Sequence, residues 1–363
     1  MNKFFPLLLL CLFVGFTTNA QDARFSQIGS APLQLNPALC GRFDGQMRAN
    51  MLLSWQKSGA AYVQHQQYSI DGFLDSTNNF GLAPNNSATN AIKSNWAGGI
   101  HYYQYGNDVL GFTQNTSPLK ANFLSVTLAK HFYRNNIALG IGTQITAAHG
   151  QLNENNTSKL DPEIIGGGFR YSVAGQGSRT GTKNYLDMNV GAYFGMKNDL
   201  FSFELGGAIY HVAAPKNDVY EKDSDSRMRR RVTFYAVNRF NLNQKWALIQ
   251  KNIYWSEGLY WNSNAQNDSS KNVTLWSGLE FHKMQHLSNY YVNFSIYTRS
   301  FSTLMPCVMV HAGPSFCIQY SFEFPINSTK YRSYTADRTE LSIRYLLKQK
   351  GTKNQSFNQF NYW

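Results

Sequence analysis

Residues 185–210 read YLDMNVGAYFGMKNDLFSFELGGAIY. Leu186, Met188, Val190, Ala192, Phe194 and Met196 fall on one side of an extended strand, and Asp187, Asn189, Gly191, Tyr193, Gly195 and Lys197 on the other. After Asn198-Asp199 the alternation resumes, with Phe201, Phe203, Leu205, Gly207 and Ile209 set against Ser202, Glu204, Gly206, Ala208 and Tyr210. Successive strand side chains point to opposite faces, so this is a hairpin with one apolar face and one face of small and polar groups. Each arm is long for a soluble sheet and suits a tilted strand that crosses a membrane. A soluble, exported β-sandwich is the competing reading, but its strands are usually shorter.

The pattern recurs along the chain. Strands are expected near Gln46–Ser54, Tyr62–Leu74, Trp96–Tyr105, Lys120–Tyr133 and Asn136–Ala148, then the two arms above. Further strands are expected at Arg230–Asn241, Lys245–Ser256, Asn272–His282, Tyr290–Ser300, Leu304–Ala312, Ser315–Phe324 and Thr339–Leu347. The sum is about fourteen, an even number as single-chain outer-membrane barrels require. The connections add a second signal. Tight turns at Arg134-Asn135, Asn198-Asp199 and Gly313-Pro314 alternate with long loops such as Gly150–Asn184, Val212–Arg229 and Pro325–Arg338. Short periplasmic turns and long extracellular loops are the habit of such barrels. Phe301–Thr303 is short where a long loop is due, and Asp75–Lys93 is long where a turn is due. The expected fold is therefore an all-β transmembrane antiparallel barrel, residues 46–347, with long extracellular loops and outer-membrane lipid around it.

The ends read differently. Residues 1–20, MNKFFPLLLLCLFVGFTTNA, have the basic start, short apolar core and small residues at Thr18 and Ala20 of a cleaved secretory signal. Residues 21–45 are too irregular for a strand, interrupted by Pro32 and Pro37, and are expected in the periplasm or the lumen. Residues 348–363 form a tail.

Composition narrows the function. The net charge of +12 invites a nucleic-acid reading, but the chain reads as exported and its densest basic run, Arg227–Arg231, has no interleaved aromatics to stack bases, so no nucleic-acid partner is expected. Cys40, Cys307 and Cys317 remain after cleavage, and a turn at Gly313-Pro314 would set Cys307 opposite Tyr320, so no disulfide between Cys307 and Cys317 is expected. No HExxH, zinc spacing, nucleophile elbow or phosphate loop is present, and Asp161, Glu163, Asp218, Glu221, Asp223 and Asp225 lack the calcium-loop signature. His282 and His286 flank a turn without a carboxylate ligand. No enzyme activity, cofactor or metal is expected.

The segment QDARFSQIGSAPLQLNPALCG, residues 21–41, resembles the mature N-terminus of the PorP/SprF family of Bacteroidota outer-membrane proteins. The family's F-S-Q is matched by Phe25, Ser26 and Gln27, its N-P-A by Asn36, Pro37 and Ala38, and its following glycine by Gly41. GQMRANMLLSWQ, LGGAIYHVAAPKN and RRRVTFYAVNRFNLNQKWALIQ are similar to its first strand, its mid-barrel passage and the strand pair after it. Departures are Cys40 at a position commonly small or aromatic, Lys57-Ser58-Gly59 in place of Pro-Gly, and a tail that runs on to Trp363. The resemblance implies type IX secretion or gliding-associated surface assembly. The partners it implies are periplasmic secretion components or the C-terminal domain of a secreted surface protein such as an adhesin. The seven motif residues are the candidate contacts. The alternative is a solute channel, a porin or a transporter of hydrophobic compounds.

Overall fold

The computed structural model describes residues 25–43, 45–58, 61–74, 92–106, 119–153, 180–198, 200–216, 228, 230–242, 253–263, 273–282, 290–313, 315–326 and 338–347. The signal-like start, the tail, Asp161, Glu163, Asp218, Glu221, Asp223, Asp225 and His286 lie outside them. Most of Asp75–Lys93, Gly150–Asn184 and Val212–Arg229 lies outside as well.

Fourteen strands close into one antiparallel barrel. They are β1 (Met47–Ser58), β2 (Ala61–Phe73), β3 (Lys93–Tyr105), β4 (Leu119–Arg134), β5 (Ile137–Asn153), β6 (Thr180–Lys197) and β7 (Phe201–Tyr210), followed by β8 (Arg231–Asn241), β9 (Ile253–Asn262), β10 (Val273–His282), β11 (Tyr290–Arg299), β12 (Thr303–Ala312), β13 (Phe316–Pro325) and β14 (Arg338–Leu347). Each strand pairs with its neighbours in sequence, and β1 pairs with β14 from Met47↔Leu347 to Gln56↔Arg338 to seal the wall. Closure leaves no strand edge to meet lipid, where an unpaired backbone group would cost several kcal/mol, roughly.

The sidedness is the reverse of a soluble protein. Leu186 is 68% exposed, while Asp187 beside it is 4% exposed. The same inversion runs round the wall, with Ile70, Ile100, Val126, Ile141, Ile296 and Ile318 outward and Gln67, Ser69, Thr127, Gln144, Ser295 and Gln319 inward. An apolar exterior this continuous is solvated by hydrocarbon rather than water. No helix among the described residues is long and apolar enough to cross a membrane.

At the end where β1 begins and β14 stops, the links at Asn135-Asn136, Asn198–Leu200 and Gly313–Ser315 are tight. We call this the turn end and the opposite one the loop end. The tight link Ser300–Ser302 at the loop end is a hairpin turn with positive φ at Ser300 (50°) and Phe301 (56°), the pairing that two-residue hairpins favour.

Three expectations need correction. The ninth strand runs over Ile253–Asn262, not Lys245–Ser256. Cys307 stands opposite Ser321 rather than Tyr320, a one-residue difference in register, although Cys307 and Cys317 are both free thiols as expected. Part of the Gly150–Asn184 loop is sheet: β5 and β6 continue to Asn153↔Thr180.

Candidate functional site: the segment in the lumen

Residues 25–43 run down the bore from loop end to turn end. Two 3₁₀ turns, Ile28–Ser30 and Pro37–Leu39, flank one turn of α-helix, α1 (Pro32–Leu35). Pro32 and Pro37 each open a turn, where a missing N–H costs nothing. Helical turns this short leave most backbone groups without internal partners, so the barrel wall must supply them. It does so at three levels.

At the loop end, Glu340 of β14 accepts the backbone N–H of Ser26 (2.8 and 2.9 Å to its two oxygens) and of Gln27 (2.8 Å). The Ser26 hydroxyl donates to Glu323 (2.7 Å), which also pairs with Arg299 (3.2 Å). The Gln27 amide donates to Ser321 Oγ (3.0 Å) and to the Glu340 carbonyl (2.9 Å). Phe25 lies edge-on to Tyr103 (centroids 5.9 Å apart) and His65 (6.3 Å).

At mid-depth, Asn36 is fully buried. Its Nδ2 donates to the carbonyls of Ala192 (2.9 Å) and Gly207 (3.2 Å), while its Oδ1 accepts the Ala38 N–H (2.9 Å) and caps the second 3₁₀ turn. Asn36 and Pro37 press onto the wall so closely that glycine is required there. A Cβ on Gly191 would lie 2.0 Å from Asn36 Oδ1, and one on Gly142 would lie 2.6 Å from the Pro37 carbonyl. Gln144 donates to the Leu33 carbonyl (3.2 Å) and is held by Asn189 (2.8 Å), while Tyr210 donates to the Gln34 carbonyl (2.6 Å). Leu35, Ala38 and Leu39 pack with Tyr193, Tyr235 and Val237 of the wall in one apolar cluster.

At the turn end, Arg48 of β1 and Asp71 of β2 form a fully buried two-point ion pair (3.0 and 2.8 Å). Asp71 also accepts the Gly41 N–H (2.7 Å), and Arg48 donates to the Leu39 carbonyl (3.1 Å). Gly41 has φ +73°, and a Cβ there would lie 2.4 Å from that of Ala97, so only glycine fits. Arg42 pairs with Glu204 (3.2 Å), which also accepts Tyr235 (3.0 Å). Burial pushes the Cys40 thiol pKa well up, with the Asp71 carboxylate adding to it and Arg48 opposing. His131 Nε2 donates to the Cys40 carbonyl (2.7 Å), which leaves Nδ1 to accept the Tyr193 hydroxyl (2.8 Å).

The seven motif residues thus lie in this one segment: Phe25, Ser26 and Gln27 at its upper seat, Asn36, Pro37 and Ala38 at the middle, Gly41 at the lower. The wall residues that hold them, Glu340, Glu323, Gln144, Asp71, Arg48 and Glu204, were not singled out from sequence. The inward phase of each strand marks them as polar, but nothing in the sequence pairs Ser26 with Glu340 across the whole chain. Among the described residues, no group of three His, Cys, Asp or Glu is placed to hold a metal ion.

The sequence matches a family model described as the type IX secretion system membrane protein PorP/SprF over residues 17–345. A comparison with curated proteins gives no match. Among solved structures, the chain is similar to the Ralstonia pickettii toluene transporter TbuX, with 10% identity and TM-score 0.47, covering 92% of this chain and 98% of that one. It is also similar to the P. putida toluene transporter TodX (8%, 0.43, covering 92% and 96%) and to the Acinetobacter baumannii outer membrane protein Omp33 (7%, 0.40, covering 84% and 99%). The family match spans the lumen segment as well as thirteen strands and most of the fourteenth, and an outer-membrane barrel is what the structure presents. The chain belongs to the PorP/SprF family of type IX secretion membrane proteins, and its place is the outer membrane.

Proposed function

We propose that this barrel is a non-enzymatic scaffold of type IX secretion, holding the C-terminal domain of a secreted surface protein at its loop end, and not a solute channel. The observation that supports this is the occupied bore. Residues 25–43 are mostly buried and are bonded to β1, β2, β4–β8, β13 and β14. A wall tied to its own plug at three depths suits a rigid platform better than a conduit. At the loop end β4–β6 rise past β7: residues Thr180–Asp187 of β6 pair with β5 and with no other described strand. This raised wall is joined by residues 154–179, the longest connection between two strands of the barrel in sequence. Phe25, Ser26, Gln27, Asn36, Pro37, Ala38 and Gly41 act in this reading by seating the segment in the bore, which stiffens the wall that carries the loop end. The partners are secretion components on the periplasmic side and the exported domain outside.

The test pairs two measurements on the full chain. In planar bilayers the purified barrel should show no stable conductance. From mild-detergent extracts of its own outer membrane, the tagged barrel should recover a large secreted protein or periplasmic secretion components, read by mass spectrometry. Steady conductance with the barrel recovered alone would replace the scaffold by a channel.

A further inference from the structure

The outward face of β8–β10 carries a polar patch where hydrocarbon should be. Glu257 of β9 stands between Asn238 of β8 and Ser277 of β10 in the sheet register. All three lie on the outward phase: their neighbours Arg239, Ser256 and Gly278 are buried inside, while Ser277 is exposed and Glu257 and Asn238 are partly exposed. Asn238 Nδ2 donates to Glu257 Oε1 at 3.4 Å, and Trp255 Nε1 donates to Ser277 Oγ at 2.8 Å.

The patch is enclosed on every side by apolar residues of the same face. Along the register, Phe203 follows Asn238 on one side and Ile296 follows Ser277 on the other. One row toward the loop end stand Ala236, Leu259 and Leu275, and one row toward the turn end Phe240, Trp255 and Leu279. From Ile253 to Trp261 the outward residues of β9 cover about 21 Å of height at ~3.4 Å per residue and ~40° tilt, most of an apolar band about 25 Å tall. Glu257 is at the centre of that span. A carboxylate there is too deep to reach a headgroup, and lipid tails offer it no donor.

We infer that Asn238, Glu257 and Ser277 form a lateral docking site for a membrane-spanning segment of a different protein, one that presents a Lys or Arg at mid-depth to Glu257. Charge selects the occupant. A second copy docking through this face about a twofold axis would set two Glu257 carboxylates against each other. A cation from another chain satisfies the carboxylate, with Asn238 and Ser277 as neutral partners to its remaining N–H groups. The surrounding Trp255, Phe240, Leu259 and Leu279 then bury the pair from lipid.

A photo-crosslinking residue in place of Leu279, one outward row from Ser277 on the same strand, activated in the full chain in the native outer membrane, tests this. The expected result is an adduct to one other membrane protein, with the linked peptide in an apolar span containing Lys or Arg. Its yield should fall at least fivefold in Glu257→Leu and survive in Glu257→Asp, and the same probe at position 318 of β13 should not form it. Glu257→Leu should keep the heat-modifiable gel shift of a folded barrel, since leucine suits lipid; were it to fail, Asn238→Leu takes its place. Adducts to lipid only, to a second copy, or to a span without Lys or Arg would overturn the proposal, as would a yield indifferent to Glu257.

Discussion

Gly191 shows how much one hydrogen atom in place of a side chain decides in this protein. Asn36 Oδ1 fills the space a Cβ would take, so Gly191→Val must push the Asn36 side chain off the Ala192 and Gly207 carbonyls. Overpacking and a stranded buried amide each cost about 1–3 kcal/mol. The variant should therefore lose about 2–6 kcal/mol, read as a lower urea midpoint of the folded band on a semi-native gel. Arg48→Met leaves Asp71 buried with only the Gly41 N–H among the partners described above. Breaking such a pair costs about 3–5 kcal/mol, so it should destabilise as strongly. Cys40 tests burial in a different way. Its raised pKa keeps the neutral thiol at pH 7–8, where the thiolate is the reactive form. Its labelling by maleimide should be absent in the folded barrel at pH 7 and at pH 8 alike, and appear on denaturation. Labelling of the folded protein would contradict the seating of residues 25–43.

At the scale of elements, the strands were legible and their partners were not. β6, β7, β13 and β14 declare themselves because one face meets lipid and the other meets polar groups, so the period of two is sharp. β9 was displaced because it breaks that contrast. Its inward face holds Tyr254 and Tyr260 against its outward Trp255 and Leu259, and its outward face holds Glu257. The lumen segment was legible as irregular, and its N-P-A motif as a candidate. Its seats were not, because they are contacts such as Ser26 to Glu340, separated by 314 positions, and no local pattern records them. Replacing Asn36 and Pro37 together asks what the segment does. A structural plug predicts a barrel with lowered thermal stability, whereas a docking segment predicts a barrel of unchanged stability that no longer supports export. The buried bonds of Asn36 favour the first outcome.

For the whole molecule, the apolar exterior and the filled interior are two solutions to one constraint. A closed wall of fourteen strands satisfies its own backbone, but its inner face is polar and must be wetted or matched. Here much of it is matched by residues 25–43. Substituting those residues by a Gly/Ser linker should leave the strands paired, and the bilayer current should rise from none to a steady open level. The Glu340 seat also bears on the order of assembly. Residues near the start of the barrel chain are bonded to its final strand, and β14 is also the strand that seals against β1. The upper seat therefore does not exist until the last strand has arrived, and once β1 and β14 have zipped the bore admits no sideways entry. After that the segment can reach its seats only along the bore axis, from the turn end where it leads into β1. Seating at Glu340 thus completes no earlier than the arrival of β14, and this long-range closure is expected to be the slowest step.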